Sequence, residues 1–153
     1  MLLPAAPWGW MAGGIASADA ATIASARLWP AQEYTRLILE SSMAIGHQML
    51  PMKNPERLVL DLDDVDVTGE LLQLGQRLHA DDPYIRAIRV ARFKPGVVRV
   101  VLELKAEVNP QLFALKPVAD YGHRLVLDLY PVTPSDPLLA LLEFEKGGDA
   151  HAA

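Results

Sequence analysis

Arg124-Leu125-Val126-Leu127-Asp128-Leu129-Tyr130 decides the reading of this chain. Leu125, Leu127 and Leu129 alternate with Arg124, Val126 and Asp128, the period-two pattern of a strand with one buried face. The same hexapeptide occurs earlier as Arg57-Leu58-Val59-Leu60-Asp61-Leu62. The residues before each copy also correspond. Gln48–Lys53 aligns with Gln111–Lys116, and Thr35–Glu40 aligns with Val98–Glu103, both at a spacing of 63 positions. At the last strand the spacing becomes 67, so the second copy carries four extra residues around Pro117–His123. Further upstream, Ala26–Pro30 echoes Ala91–Pro95 at a spacing of 65. Insertions confined to turns are what a duplicated strand unit should show.

Two copies of a roughly four-stranded unit, about 25–62 and 84–131, each carry a leucine/valine face that must be buried. Packing the copies face to face about a pseudo-twofold axis satisfies both. The expected fold is therefore mostly β: a sandwich of two pseudo-symmetric sheets with one short connecting helix. The expected strands of the first copy are Ser25–Trp29, Tyr34–Glu40, His47–Met52 and Arg57–Leu62. In the second they are Tyr84–Phe93, Val97–Leu104, Val108–Lys116 and Arg124–Tyr130. Between them Thr68 can cap a helix with Leu71, Leu74 and Leu78 on one side.

The 153 residues suit one domain with tails. A content of 51 % hydrophobic and 22 % charged residues is that of a globular chain. A net charge of −5 argues against nucleic acid as partner. With no cysteine there is neither a disulfide framework nor a thiolate zinc site. Residues 1–20 are apolar, lack Lys and Arg and end Ala18-Asp19-Ala20, a small-x-small site. They read as a truncated secretory signal, so the mature chain is expected to be exported. No later segment could span a membrane as a helix. Residues 133–153, with Pro134 and Pro137, read as a linker-like tail, with a short helix expected over Leu138–Phe144.

With the leucines inward, Arg57, Val59 and Asp61 point out, as do Arg124, Val126 and Asp128. Arg36, Ile38 and Glu40, with Arg99, Val101 and Glu103, repeat the cation–apolar–anion order. Such a surface could hydrogen-bond a sugar–peptide polymer, with arginine forks on carboxylates. In an antiparallel pair the same triplets would set Arg beside Asp or Glu as a structural ladder, the more common role. Arg86, Arg89, Arg92, Lys94 and Arg99 form a basic patch, ordinarily a solvated edge. Tyr84 and Tyr121 stand beside turns, where corner packing is the usual role and sugar stacking the alternative. The four histidines lack ligand spacing, and no nucleophile elbow or phosphate-cradling loop is present, so neither metal nor cofactor is expected.

Arg27-Leu28-Trp29-Pro30, Tyr34-Thr35-Arg36, Lys53-Asn54-Pro55-Glu56 with Arg57–Leu62, Asp81–Arg86, Arg92–Pro95 and Tyr121–Pro131 resemble the AMIN domain. This is the N-terminal module of periplasmic N-acetylmuramoyl-L-alanine amidases that separate daughter cells. The resemblance runs from about Ala26 to Pro131, within a domain placed at 25–132. It implies a non-catalytic module that binds peptidoglycan and directs an amidase to the division septum. Its outward motifs map onto Arg57, Asp61, Arg124 and Asp128; with Arg36 and Arg99 of the outward stripes these are the expected peptidoglycan contacts, and divisome or envelope proteins are further candidate partners. Because no zinc-binding catalytic domain follows and no twin-arginine signal precedes, hydrolysis is not expected of this chain. The alternative is a protein-docking AMIN module of an envelope assembly such as an outer-membrane secretin.

Overall fold

The computed structural model describes residues 20–132 and Leu138. The leader apart from Ala20, and the tail with its expected helix apart from Leu138, lie outside the described residues. Nine strands are described: β1 (Ala21–Pro30), β2 (Thr35–Ser41), β3 (Gly46–Met52), β4 (Arg57–Asp63) and β5 (Val65–Asp66), then β6 (Ile85–Lys94), β7 (Val97–Leu104), β8 (Val108–Leu115) and β9 (His123–Pro131). One helical turn, α1 (Gly69–Leu72), and a 3₁₀ turn (Leu74–Arg77) join the two copies.

The strands form two sheets, ordered β5-β1-β2-β9-β8 and β3-β4-β7-β6. The architecture is thus the expected mostly β sandwich of two pseudo-symmetric sheets with a short helix. Neither sheet is a single copy, however. Each copy sends its first hairpin to one sheet and its second hairpin to the other. At the centre of the five-stranded sheet β2 of the first copy pairs antiparallel with β9 of the second. The four-stranded sheet has the reciprocal pair, β4 with β7. A period-two pattern says which face of a strand is buried but not which strand lies beside it, so the exchange is invisible in the leucines. Its consequence is mechanical: the copies cannot separate without breaking the middle of both sheets.

The inward faces meet as expected. Leu58, Leu60, Leu62, Leu125, Leu127 and Leu129 are buried, against Leu37, Leu39, Val98, Val100 and Leu102. Thr68 caps α1, accepting from the Leu71 amide at 3.4 Å. The helix ends after one turn and is followed by the 3₁₀ turn, in which Gly75 sits so close to β6 that a Cβ there would lie 2.5 Å from the Ile88 carbonyl oxygen. α1 and the 3₁₀ turn lie across β1 and β6, burying Leu71 and Leu74 and closing that side of the sandwich.

The upstream echo needs correction. In the structure Arg27 faces Ile38, whereas Arg89 faces Val101. Since Ile38 and Val101 are repeat partners, Arg27 corresponds to Arg89, not to Arg92. The register break in β6 between Arg92 and Lys94 inserts one residue between Arg89 and Val101, moving the spatial spacing from the 63 positions of β2 and β7 to 62, away from the 65 of the echo.

Candidate functional site: the outer sheet faces

Register fixes which side chains share each outer face. On the five-stranded sheet one cross-strand row runs Trp29, Arg36, Asp128, Gln111. The next runs Arg27, Ile38, Val126, Phe113, and a third Ser25, Glu40, Arg124, Leu115. The four-stranded sheet repeats them as Ala91, Arg99, Asp61, Gln48; then Arg89, Val101, Val59, Leu50; then Ala87, Glu103, Arg57, Met52. The duplication therefore writes nearly one surface twice.

Four of the six expected site residues are consumed in two symmetric ion pairs. Arg36 donates from Nε to Asp128 Oδ1 at 2.7 Å and from Nη2 to Oδ2 at 2.8 Å. Arg99 does the same to Asp61 at 2.8 and 3.0 Å. Each pair joins one copy to the other across a sheet centre. The expectation that both aspartates face water fails: Asp128 is 2 % exposed and Asp61 8 % exposed. They do point to the outer side, but the arginine laid over each one covers it. Aromatic rings cover the arginines in turn. Arg99 lies 3.6 Å from the Phe93 ring centre, and Arg36 lies 5.3 Å from that of Tyr34. The hydrogen bonds from Arg99 hold the Asp61 carboxyl below its ordinary pKa, against the opposing effect of burial. The Asp128 hydrogen bonds likewise raise the pKa of the Arg36 guanidinium.

Among the described residues the other two arginines have no carboxylate partner. Register puts Arg57 opposite Glu103 and Arg124 opposite Glu40. Yet Glu103 pairs with Arg89 at 2.9 Å, and Glu40 accepts from the Gly122 amide at 3.3 Å. Arg57 Nη1 donates to the Pro55 carbonyl at 3.3 Å. Arg124 lies 5.0 Å from the Tyr121 ring centre, and its Nε is buried without a hydrogen-bond partner. The structural-ladder role thus holds for Arg36, Asp61, Arg99 and Asp128, and leaves Arg57 and Arg124 with guanidinium groups available to a ligand.

Two aromatic residues change role. Tyr84, beside a turn, is buried and donates to the Glu33 carbonyl at 3.3 Å, the corner packing expected of it. Tyr121 is 58 % exposed. Trp29, at the end of β1 and outside the six expected site residues, is 57 % exposed. Its place two residues after Arg27, on the outward phase of β1, is the signal that could have found it. Among the described residues no His, Cys, Asp and Glu side chains are grouped to hold a metal ion. Among them, too, no helix is long and apolar enough to cross a membrane.

Comparison with known proteins agrees with this architecture. The AMIN domain family matches residues 25–129. N-acetylmuramoyl-L-alanine amidase AmiC of Escherichia coli O6:H1 is 43 % identical over 147 residues, covering 94 % of this chain and 35 % of the relative. The protein of the same name from Neisseria meningitidis serogroup B is 44 % identical over 135 residues, covering 84 % and 32 %. The chain therefore spans about a third of the length of these relatives. A family match over most of the described residues, on a duplicated sandwich with its outward motifs in order, means that this chain belongs to the AMIN domain family.

Proposed function

We propose that this domain is a non-catalytic peptidoglycan-binding module that targets an N-acetylmuramoyl-L-alanine amidase to the division septum, in peptidoglycan turnover and daughter-cell separation. It acts in the periplasm after export. Hydrolysis belongs to a zinc domain of the amidase, not to these residues. The observation that carries the reading is the pair of carboxylate-free arginines, Arg57 and Arg124, at repeat-related positions on two outer faces. A guanidinium fork is suited to the carboxylates of a peptide stem. Arg36–Asp128 and Arg99–Asp61 form the floor beside them, each arginine holding its aspartate through Nε and Nη2.

The test is retention of the purified chain on isolated sacculi. Arg57→Ala combined with Arg124→Ala is expected to weaken retention about tenfold or more while far-UV circular dichroism stays unchanged. Unchanged retention of the double variant would assign these arginines to structure alone. A wild-type domain that ignores sacculi and instead binds a purified secretin or divisome component would favour the docking alternative.

A further inference from the structure

The two outer faces are near copies, and where they differ is informative. On the five-stranded sheet, a groove of about 600 Å³ is lined by Trp29 and Arg27 of β1, Ile38 and Glu40 of β2, Arg124 of β9, and Asp120 and Tyr121 of the preceding loop. Neither of its exposed rings, Trp29 and Tyr121, is repeated at the equivalent register position of the other face, whose exposed ring, Phe93, lies over Arg99 instead. Ala91 occupies the place of Trp29 in the register row. Tyr121 belongs to the loop that is four residues longer in the second copy. That loop is built, not loose. Val118 and Tyr121 exchange two backbone hydrogen bonds of 3.1 and 2.9 Å, closed by Ala119 at a φ of 52°. The Gly122 amide is then fixed to Glu40. The hairpin holds the Tyr121 ring up beside Arg124.

We infer that this groove is where sugar and peptide of one saccharide–peptide unit are read together, an amino-sugar ring against Trp29 and Tyr121 with the carboxylate of its attached peptide on Arg124, while Arg57 on the four-stranded sheet takes a peptide carboxylate alone. The inference rests on the peptidoglycan reading above and adds to it the face and the part of the polymer that is read. Sugar rings offer C–H faces that settle on aromatic rings, and two exposed rings around one concavity provide them. Ile38 forms an apolar floor, and Asp120 and Glu40 offer acceptors for hydroxyl or amide hydrogens. Of the two cations, Arg27 also borders a neighbouring groove lined by Glu70 and Arg77. Arg124 has no carboxylate partner among the described residues, and its buried Nε lacks an acceptor, a deficit that an arriving carboxylate relieves once the side chain turns to meet it. On the four-stranded sheet the corresponding Arg89 is already closed on Glu103, and no aromatic ring stands in the place of Trp29.

The experiment measures sacculus retention and, by calorimetry, affinity for a soluble disaccharide–tetrapeptide and for glycan strands stripped of peptide. Trp29→Ala and Tyr121→Ala are each expected to weaken disaccharide–tetrapeptide binding roughly tenfold, with Tyr121→Phe close to wild type. Leu50→Ala on the four-stranded sheet is expected to change nothing. Arg124→Gln is expected to abolish the preference for peptide-bearing over stripped glycan. Wild-type retention on sacculi that is matched by Trp29→Ala and Tyr121→Ala would overturn the groove and leave the peptidoglycan reading standing. Equal wild-type affinity for the two soluble ligands would overturn the role given to Arg124. No retention of the wild type at all would remove the peptidoglycan reading and the groove with it.

Discussion

Asp128→Asn isolates the role of the buried ion pairs. The wild-type carboxylate receives two charge-assisted hydrogen bonds from Arg36, at 2.7 and 2.8 Å. Asparagine keeps one acceptor oxygen but turns an NH₂ group toward a guanidinium donor, so one bond is lost and a donor–donor contact replaces it. Breaking a wholly buried pair costs about 3–5 kcal/mol. Here the Asp128 side chain is 3 % exposed but that of Arg36 is 35 % exposed, so the orphaned cation recovers part of its hydration. We therefore expect a loss of about 2–3 kcal/mol, lowering Tm by on the order of 10 °C in a domain of this size. Urea unfolding followed by circular dichroism measures the loss, and sacculus retention is read well below the midpoint, where the variant is still folded. The expected result is a lower midpoint with retention close to wild type. An unchanged midpoint with lost retention would refute the structural assignment and make Asp128 a ligand contact.

Replacing both partners, Arg36→Leu with Asp128→Leu, is expected to restore most of that stability, because matched apolar groups leave no charge unpaired; calorimetric melting of single and double variants checks it. Gly75→Ala is expected to destabilise by about 1–3 kcal/mol although alanine favours helices, since its Cβ would press on the Ile88 carbonyl at 2.5 Å; urea titration reads it. Asp61 titrates below its unfolded value, so its contribution is complete above about pH 4 and drains away as pH falls through the native pKa. Acid titration of stability should therefore show an acid limb that Asp61→Asn flattens; an identical limb in the variant would contradict the pairing with Arg99.

What the sequence made legible is what local chemistry dictates. The repeated Arg-Leu-Val-Leu-Asp-Leu carries its own buried face, and Leu58, Leu60 and Leu62 are inside with their counterparts Leu125, Leu127 and Leu129. Thr68 signalled the start of α1, but nothing local told that Gly75 would lie against the Ile88 carbonyl. β5 was missed because two residues, Val65 and Asp66, pair parallel with Ala21 and Thr22 and leave no periodicity to read. The exchange of hairpins between sheets was also hidden, since β1–β2 and β3–β4 pair identically whether or not the copies exchange halves. For the outer faces, alternation placed Asp61 and Asp128 correctly on the outward side. It could not show them roofed by Arg99 and Arg36, because the covering residue comes from the other copy. The groove depends on one loop, whose extra length the repeat marks but whose height it does not, and on the identity of one strand-end residue, Trp29.

The most direct measurement is a titration of the ¹⁵N-labelled chain with the soluble disaccharide–tetrapeptide, followed by amide chemical shifts. The account expects saturable shifts concentrated at Ser25–Trp29, Ile38–Glu40 and Asp120–Arg124, along the outer face of β1, β2 and β9. Shifts centred on Leu50 and Arg89 with none along that groove, or none at all at concentrations where the chain is retained on sacculi, would contradict it.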